Sequence, residues 1–206
     1  DNWTEERWYE ESHKGKSKEL KDLENYSVYK PVLKAETKGK KYITTRWEEV
    51  PKFKNGRWIV RSRFVAREFR WKDPGRDDLF GVTSSANTSR MLDVLLAKGP
   101  GYTAVIGDVT CAFFHAEEDE EVYVDPPVEW KEIHGYEWVW KLERQLYGRR
   151  PAPRKFEDKV ARVMCEKLQT VRCKEVPHLY FHPTKGVAIE VHVDDFYAVG
   201  PGNAPW

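Results

Sequence analysis

Residues 187–200 have the sequence VAIEVHVDDFYAVG, in which two adjacent aspartates interrupt an otherwise apolar run. The β-branched and aromatic residues on either side predict two strands, at 187–193 and 196–199. Removing the neighbouring carboxylates of Asp194 and Asp195 from water is costly unless a positive group lies beside them. The stretch therefore predicts a pair of strands whose junction carries functional acids.

A third aspartate ends another apolar segment. Residues 102–109, YTAVIGDV, predict a buried strand with Asp108 near its end. If the three acids converge at one edge of a sheet, they supply the oxygen ligands of two Mg²⁺ ions and leave positions for substrate phosphates. The alternative is an aspartate pair in a β-turn, with Asp108 unrelated to it.

Hydrophobic periodicity predicts an α+β fold, with helices on one side of an antiparallel sheet. Glycine at position 15 weakens the first predicted helix by about 1 kcal/mol relative to alanine. The last predicted helix places Phe156, Val160, Val163 and Met164 on one face. The predicted helices are 8–23, 85–97 and 151–168, and the further strands are 42–50, 57–69, 121–124, 138–142 and 179–181.

The Asn55-Gly56 dipeptide predicts that strands 42–50 and 57–69 form a β-hairpin. Because side chains alternate along a strand, Arg61, Arg63 and Arg67 share one face of its second strand. The sequence thus predicts three guanidinium groups that point the same way.

The 206 residues carry a formal charge of only +1, with 40% hydrophobic and 33% charged residues, which excludes a uniformly basic or acidic disordered chain. The charge is nevertheless segregated. Nine bases and two acids lie within 52–76, eleven acids and two bases within 108–143, and six bases and two acids within 144–159. Two basic segments on either side of an acidic one are typical of a protein that binds a polyanion only if the acids bind metal ions. The alternative is that the charged segments are solvated surfaces without a charged partner molecule.

The three cysteines are scattered, which is typical of a reducing compartment, so an intracellular location is expected. No apolar run approaches the roughly twenty residues of a membrane span, so no membrane partner is predicted. The chain begins without methionine or a signal peptide and is expected to be a fragment of a longer protein.

Four motifs in order resemble the reverse transcriptases of copia-type retrotransposons, nearly along the whole chain. Residues 61–69, RSRFVAREF, resemble the fingers motif KARLVARGF. Residues 108–115, DVTCAFFH, resemble the palm motif DVxxAFLH, and EEVYVDPP at 120–127 is similar to its continuation. Residues 146–154, LYGRRPAPR, resemble LYGLKQAPR, and HVDD at 192–195 resembles YVDD.

The resemblance implies a right-hand polymerase, with an N-terminal helix and fingers at 1–101 and a ferredoxin-like palm with an antiparallel sheet at 102–206. The chain stops about eleven residues after Asp195, so the thumb is expected to be missing. The implied activity is RNA-directed DNA polymerisation, with a primed RNA or DNA template and dNTPs as substrates. The remainder of a Pol polyprotein is the implied partner, in the cytoplasm, in element-encoded particles or in the nucleus.

The resemblance assigns catalysis and metal binding to Asp108, Asp194 and Asp195, with the main-chain carbonyl of Val109 as a further metal ligand. Two Mg²⁺ ions, or Mn²⁺ in their place, would activate the primer 3′-hydroxyl and clamp the triphosphate.

Binding of the incoming dNTP is predicted for Arg61, Arg63, Phe113, Tyr147 and Gly148. The guanidinium groups match phosphate. In the family the position of Phe113 stacks under the sugar and excludes a 2′-hydroxyl. The alternatives are solvated strand charges for the arginines and an ordinary core aromatic for Phe113.

Contacts with the nucleic acid are predicted for Arg67, Arg150, Arg154, Lys155 and His192. The histidine replaces the tyrosine of the motif, which puts packing of the primer end in doubt.

Two other functions compete with this hypothesis. One is an inactive reverse-transcriptase remnant that binds nucleic acid through the basic face of residues 57–76, since truncation and altered motifs fit decay. The other is a metal-dependent nuclease that uses the same acids, which a glutamate on a later helix would favour.

Overall fold

A computed structural model of the chain describes residues 3–69, 75 and 86–202. The helices are α1 (Glu5–Asn25), α2 (Ala86–Leu96), α3 (Val128–His134) and α4 (Ala152–Arg162). The strands are β1 (Tyr29–Leu33), β2 (Lys41–Ile43), β3 (Thr45–Lys54), β4 (Arg57–Ala66), β5 (Tyr102–Asp108), β6 (Val122–Val124), β7 (Trp138–Leu142), β8 (Val171–Arg172), β9 (Leu179–His182), β10 (Val187–His192) and β11 (Asp195–Pro201). The predicted α+β class with antiparallel sheets is confirmed. Arg70, Lys72 and Arg76 of the predicted basic face 57–76 lie outside the described residues.

The chain forms two compact units. The first comprises Asp1–Arg76 and Phe113–Ala152, and the second comprises Asp77–Ala112 and Pro153–Trp206. The predicted division into fingers at 1–101 and palm at 102–206 stays a prediction.

The predicted hairpin is confirmed as a two-stranded ribbon of β3 and β4 in the first unit. Its turn residues, Asn55 and Gly56, have left-handed φ angles of 51° and 77°, as a two-residue type I′ turn requires. One face of the ribbon buries Val60, Ser62 and Phe64. Those residues alternate with Arg61 and Arg63, so the predicted facing of these two arginines is confirmed, whereas the predicted strand 57–69 ends at Ala66 and Arg67 lies beyond it.

Helix α1 packs on the buried face of β4 through Gly15. A Cβ atom at this glycine would lie 2.6 Å from Ser62 Oγ and 2.7 Å from the carbonyl oxygen of Val60. The glycine that weakens the isolated helix therefore permits close approach of helix and strand.

We expect Gly15→Ala to destabilise the chain by about 1 to 3 kcal/mol, although alanine is the better helix former, because the new methyl group has no room. Urea unfolding measures the change. Ser17→Ala, at an exposed position of the same helix, is the control and should stabilise by a few tenths of a kcal/mol. Equal gains in both variants would contradict this packing.

A glutamate is also buried on α1. The side chain of Glu19 accepts a hydrogen bond from the backbone N–H of Phe64 at 3.2 Å, and the residue is only 7% exposed. Burial raises the pKa of the Glu19 carboxyl group to about 7. This helix therefore brings a titratable group into the core.

A four-stranded sheet in the order β1-β7-β6-β2 completes the first unit. Its pairs are antiparallel except β2 with β6, which is parallel. The ring of Tyr29 stacks on Trp140 with centroids 3.7 Å apart, and Trp140 meets Phe64 edge to face at 5.6 Å. Aromatic packing thus joins this sheet to the ribbon within one core.

The second unit contains a fully antiparallel sheet in the order β5-β11-β10-β9-β8. The expectation that residues 102–109 form a buried strand is wrong. Because β5 is an edge strand, only one of its sides is paired, and Ile106 is 78% exposed.

Helix α4 buries Phe156 and Val160, as predicted, but ends at Arg162. A π-helical turn at Val163–Lys167 follows. It changes the register, so Met164 stays buried whereas Val163 is exposed, which corrects the predicted face. Within the described parts of the chain, no helix combines the length and the apolar character needed to cross a membrane.

Candidate functional site

In the second unit, Asp194 lies in the two-residue turn between β10 and β11, and Asp195 begins β11. His192 lies opposite Asp195 in the β10–β11 register, and Asp195 lies opposite Asp108 in the β11–β5 register. Directly opposed residues point to the same face with Cβ atoms about 5 Å apart. The three side chains therefore form a row across three strands, with Asp194 in the adjoining turn.

The turn has a strained backbone. Val193 adopts a left-handed φ of 57°, which is unusual for a β-branched residue and costs about 1 to 3 kcal/mol. The backbone N–H of Val109 donates to the carbonyl of Asp194 at 2.8 Å. This bond fastens the turn to the end of β5 and so supports the strained conformation.

The structure confirms the closeness of Asp108 and Asp195 but not a closed cluster of three carboxylates. Within residues 3–69, 75 and 86–202, no three acidic, histidine or cysteine side chains are grouped so that they could hold a metal ion. Asp108 and Asp195 are exposed and Asp194 is half-buried, so all three are accessible to solvent. Metal binding by these acids stays a prediction.

Several of the residues predicted to bind dNTP meet in the first unit. The guanidinium carbon of Arg63 lies 4.5 Å from the ring centroid of Tyr147, a cation–π contact. The Tyr147 ring is in turn 5.4 Å from that of Phe113 and 5.1 Å from that of Phe114. The structure thus brings a cation and three aromatic rings from distant segments to one place.

The segment that carries Tyr147 lies close to the end of β4. The backbone N–H of Ala66 donates to the carbonyl of Tyr147 at 2.7 Å. Gly148 has a φ of 79°, and a Cβ atom at this position would lie 2.1 Å from the carbonyl oxygen of Ala66. Only glycine permits this approach, which explains Gly148 in physical terms.

A cavity of about 320 Å³ opens between these two segments of the first unit. Three arginines and two glutamates line it, together with apolar and backbone groups. The lining residues are Arg46, Glu48, Arg63, Val65, Ala66, Arg67, Glu68, Phe69, Tyr147 and Gly148. Since Arg46 pairs with Glu48 at 2.5 Å, Arg63 and Arg67 are the principal candidates for binding an anion.

The remaining predicted residues lie elsewhere in the two units. Arg61 shares the face of β4 with Arg63, and Arg150 follows the Tyr147-Gly148 turn in the first unit. Arg154 and Lys155 belong to α4 in the second unit, where Arg154 pairs with Asp158 at 3.2 Å. Their roles in binding stay predictions.

Sequence reasoning missed an ion-pair network at the cavity wall. Arg149, whose side chain is fully buried, bonds Glu68 at 2.5 Å and Glu118 at 2.8 Å. Lys41 lies 3.0 Å from Glu68 as well. The signal was present, because the family motifs quoted above have glycine and leucine where this chain has Glu68 and Arg149.

The pKa values of this network reflect competition between burial and pairing. Burial opposes ionisation of Glu68, but the Arg149 guanidinium and the backbone N–H of Arg150 outweigh it and lower the pKa of Glu68. Burial likewise opposes the charge of Arg149, and bonding to the Glu118 and Glu68 carboxylates nevertheless raises the pKa of Arg149. Both groups are therefore charged in the folded protein.

Residues 26–204 match the model of the family described as reverse transcriptase (RNA-dependent DNA polymerase). The chain belongs to this family, and the resemblance to copia-type reverse transcriptases is confirmed.

The chain is also 27% identical over 194 residues to the retrovirus-related Pol polyprotein from transposon TNT 1-94 of Nicotiana tabacum. This match covers 91% of the chain but only 14% of the polyprotein. A solved structure of a foamy viral protease–reverse transcriptase in complex with double-stranded DNA is similar, with a TM-score of 0.46 and 16% identity, over 91% of this chain and 26% of that one.

Proposed function

We propose that this chain is the part of a retrotransposon Pol polyprotein that catalyses RNA-directed DNA synthesis, the transfer of dNTPs to a primer 3′-hydroxyl. Membership of the reverse transcriptase family supports the class of activity. The observation that carries the chemistry is the register that places Asp108 opposite Asp195, beside the turn at Asp194. Neighbouring solvent-accessible carboxylates suit a reaction among phosphates only when cations neutralise them.

The donor set fits Mg²⁺, a hard cation that prefers carboxylate and carbonyl oxygens. Asp108, Asp194 and Asp195 would hold it, with the main-chain carbonyl of Val109, and Mn²⁺ could take the same ligands. When bound, the ions would supply Lewis-acid activation of the 3′-hydroxyl and of the triphosphate. The contribution of this chain is to orient those carboxylates through the Val109–Asp194 hydrogen bond.

The cavity of the first unit is the proposed dNTP site. Arg63 and Arg67 would bind the triphosphate, because a guanidinium group pairs with phosphate through two hydrogen bonds. The contact with Tyr147 holds the Arg63 side chain in a defined orientation. Phe113, packed on the same ring, would contact the sugar.

A specific observation favours a second candidate function, nucleic-acid binding without catalysis. The register places six cations and one acid, Glu48, on the ribbon face opposite to α1. The cations are Arg46, Lys52, Lys54, Arg57, Arg61 and Arg63. Such a face suits a phosphate backbone whether or not the chain is active.

The test is extension of a DNA primer on an RNA template in the presence of Mg²⁺, with binding of the same primer–template measured separately. We expect Asp195→Asn to reduce extension at least about 100-fold, because a metal ligand is lost. Binding of the primer–template should change less than about twofold, since one exposed carboxylate contributes little to affinity.

Glu166→Gln is the matched control, since it removes an exposed carboxylate of the same unit and should leave extension unchanged. Extension by the Asp195→Asn variant at the unsubstituted rate would contradict the proposed catalysis. Salt-sensitive binding of primer–template without extension by the unsubstituted chain would favour the second candidate.

A further inference from the structure

The wall of the cavity contains a carboxylate that ought to repel its proposed ligand. Glu68 lines the cavity beside Arg67, and its side chain is 8% exposed. A free carboxylate at this point would oppose the binding of a triphosphate. The presence of a glutamate at position 68 therefore has to be explained if the cavity binds anions.

Arg149 supplies the compensating charge from behind the wall. Its side chain is fully buried, does not line the cavity, and bonds Glu68 through Nη1. Its Nε donates to Glu118 at 2.8 Å, while its Nη2 lies 3.5 Å from Glu120. The guanidinium is thus held on several sides and directs one edge at Glu68.

The same pair connects the two segments that enclose the cavity. Besides its bond to the Arg149 side chain, Glu68 accepts a hydrogen bond from the backbone N–H of Arg150 at 2.8 Å. The Ala66–Tyr147 backbone bond lies next to it. The Glu68–Arg149 pair therefore fixes the end of β4 against the turn that carries Tyr147 and Gly148.

The two charges are interdependent. The family motifs have an uncharged pair, glycine and leucine, at these positions. Without Arg149, the buried Glu68 would keep only Lys41 as a charged partner, and a buried arginine without its carboxylates would carry an uncompensated charge. In this chain the acid at 68 is paired with the base at 149.

We propose that Arg149 is a positioning residue that neutralises and orients Glu68, so that the cavity wall accepts the phosphates of a nucleotide. The inference rests on the proposed function of this cavity. Arg149 itself does not touch the nucleotide. Its effect is to cancel the repulsive charge of Glu68.

The test is titration of the chain with dTTP by calorimetry at low and high ionic strength. We expect Arg149→Leu to weaken dTTP binding about tenfold at low salt, and the deficit to shrink at high salt as the charge that Glu68 presents to the open cavity is screened. The double variant Glu68→Gln with Arg149→Leu should recover affinity to within about twofold, because it removes the repulsion without restoring the ion pair.

Thermal unfolding of each variant accompanies the titration. If Arg149→Leu does not fold, the titration is made with Glu68→Gln alone. This variant is expected to bind dTTP at least as tightly as the unsubstituted chain. Loss of affinity in Glu68→Gln, or a salt-independent loss in Arg149→Leu that the double variant does not recover, would overturn the inference and leave the proposed function standing. Absence of dTTP binding by the unsubstituted chain would instead overturn the cavity as a nucleotide site, and the inference with it.

Discussion

Gly148→Ala is expected to lower the free energy of unfolding by about 3 kcal/mol or more, at the upper end of the range for overpacking. The added methyl group would lie 2.1 Å from the carbonyl oxygen of Ala66, and this neighbour is backbone rather than a flexible side chain. Relief requires the turn to move away from β4. That movement breaks the 2.7 Å hydrogen bond from Ala66 to Tyr147 and displaces the Tyr147 ring from Arg63.

Gly39→Ala is a closely matched control for this prediction. Gly39 has a φ of 80°, almost that of Gly148, and a Cβ atom there would meet nothing within 4 Å. It should cost only the left-handed penalty of about 1 to 2 kcal/mol. Urea unfolding measures the loss of stability in both variants, and the difference between the two losses is the steric contribution at Gly148. Equal losses would show that backbone conformation alone explains the glycine at 148.

The second large effect is a pH dependence that originates at Glu19. The pKa of its carboxyl group is raised to about 7 in the folded chain, from 4.5 for the ordinary group. Between these values the folded chain binds one more proton than the unfolded chain, so stability falls as pH rises. Each pH unit in this range lowers the free energy of unfolding by about 1.4 kcal/mol. The total loss of about 3 kcal/mol is complete slightly above pH 7.

We therefore expect Glu19→Gln to be more stable than the unsubstituted chain by about 3 kcal/mol at pH 8, with the difference vanishing near pH 4. Glutamine keeps an oxygen that can accept the hydrogen bond from Phe64 and carries no charge to bury. Urea unfolding across this pH range measures the difference. Glu10→Gln, on the exposed surface of α1, should leave the stability nearly unchanged, and a gain from Glu19→Gln that persists at pH 4 would disprove the linkage.

Local features of the fold could be predicted because local chemistry determines them. The Asn55-Gly56 turn specifies the ribbon through backbone conformation alone. The Asp194-Asp195 pair lies where one apolar strand ends and the next begins, and so it indicates the second hairpin. By contrast, β1 contains Pro31 and β2 has only three residues, so neither has the alternation that signals a strand. Pro31 is tolerated because β1 is an edge strand.

The candidate site was predictable in its residues but not in its contacts. The motif resemblance identified Arg63, Phe113 and Tyr147, whereas the stacking of Arg63 on Tyr147 depends on tertiary packing between distant segments. The buried partnership of Glu68 and Arg149 escaped prediction for the same reason. Charge counts place the two residues in separate segments, so the sequence signal for the pair was limited to the departure of both residues from the family motifs.

The first unit is built from two stretches of chain, with residues of the second unit between them. Strand β1 pairs with β7, about 110 residues further along the chain, whereas β3 pairs with its immediate neighbour β4. During synthesis the ribbon can form as soon as it leaves the ribosome, but β1 has to wait for residues that are made much later. The cavity between β4 and the Tyr147 turn is consequently a late product of folding, assembled only after Asp108 has already been translated.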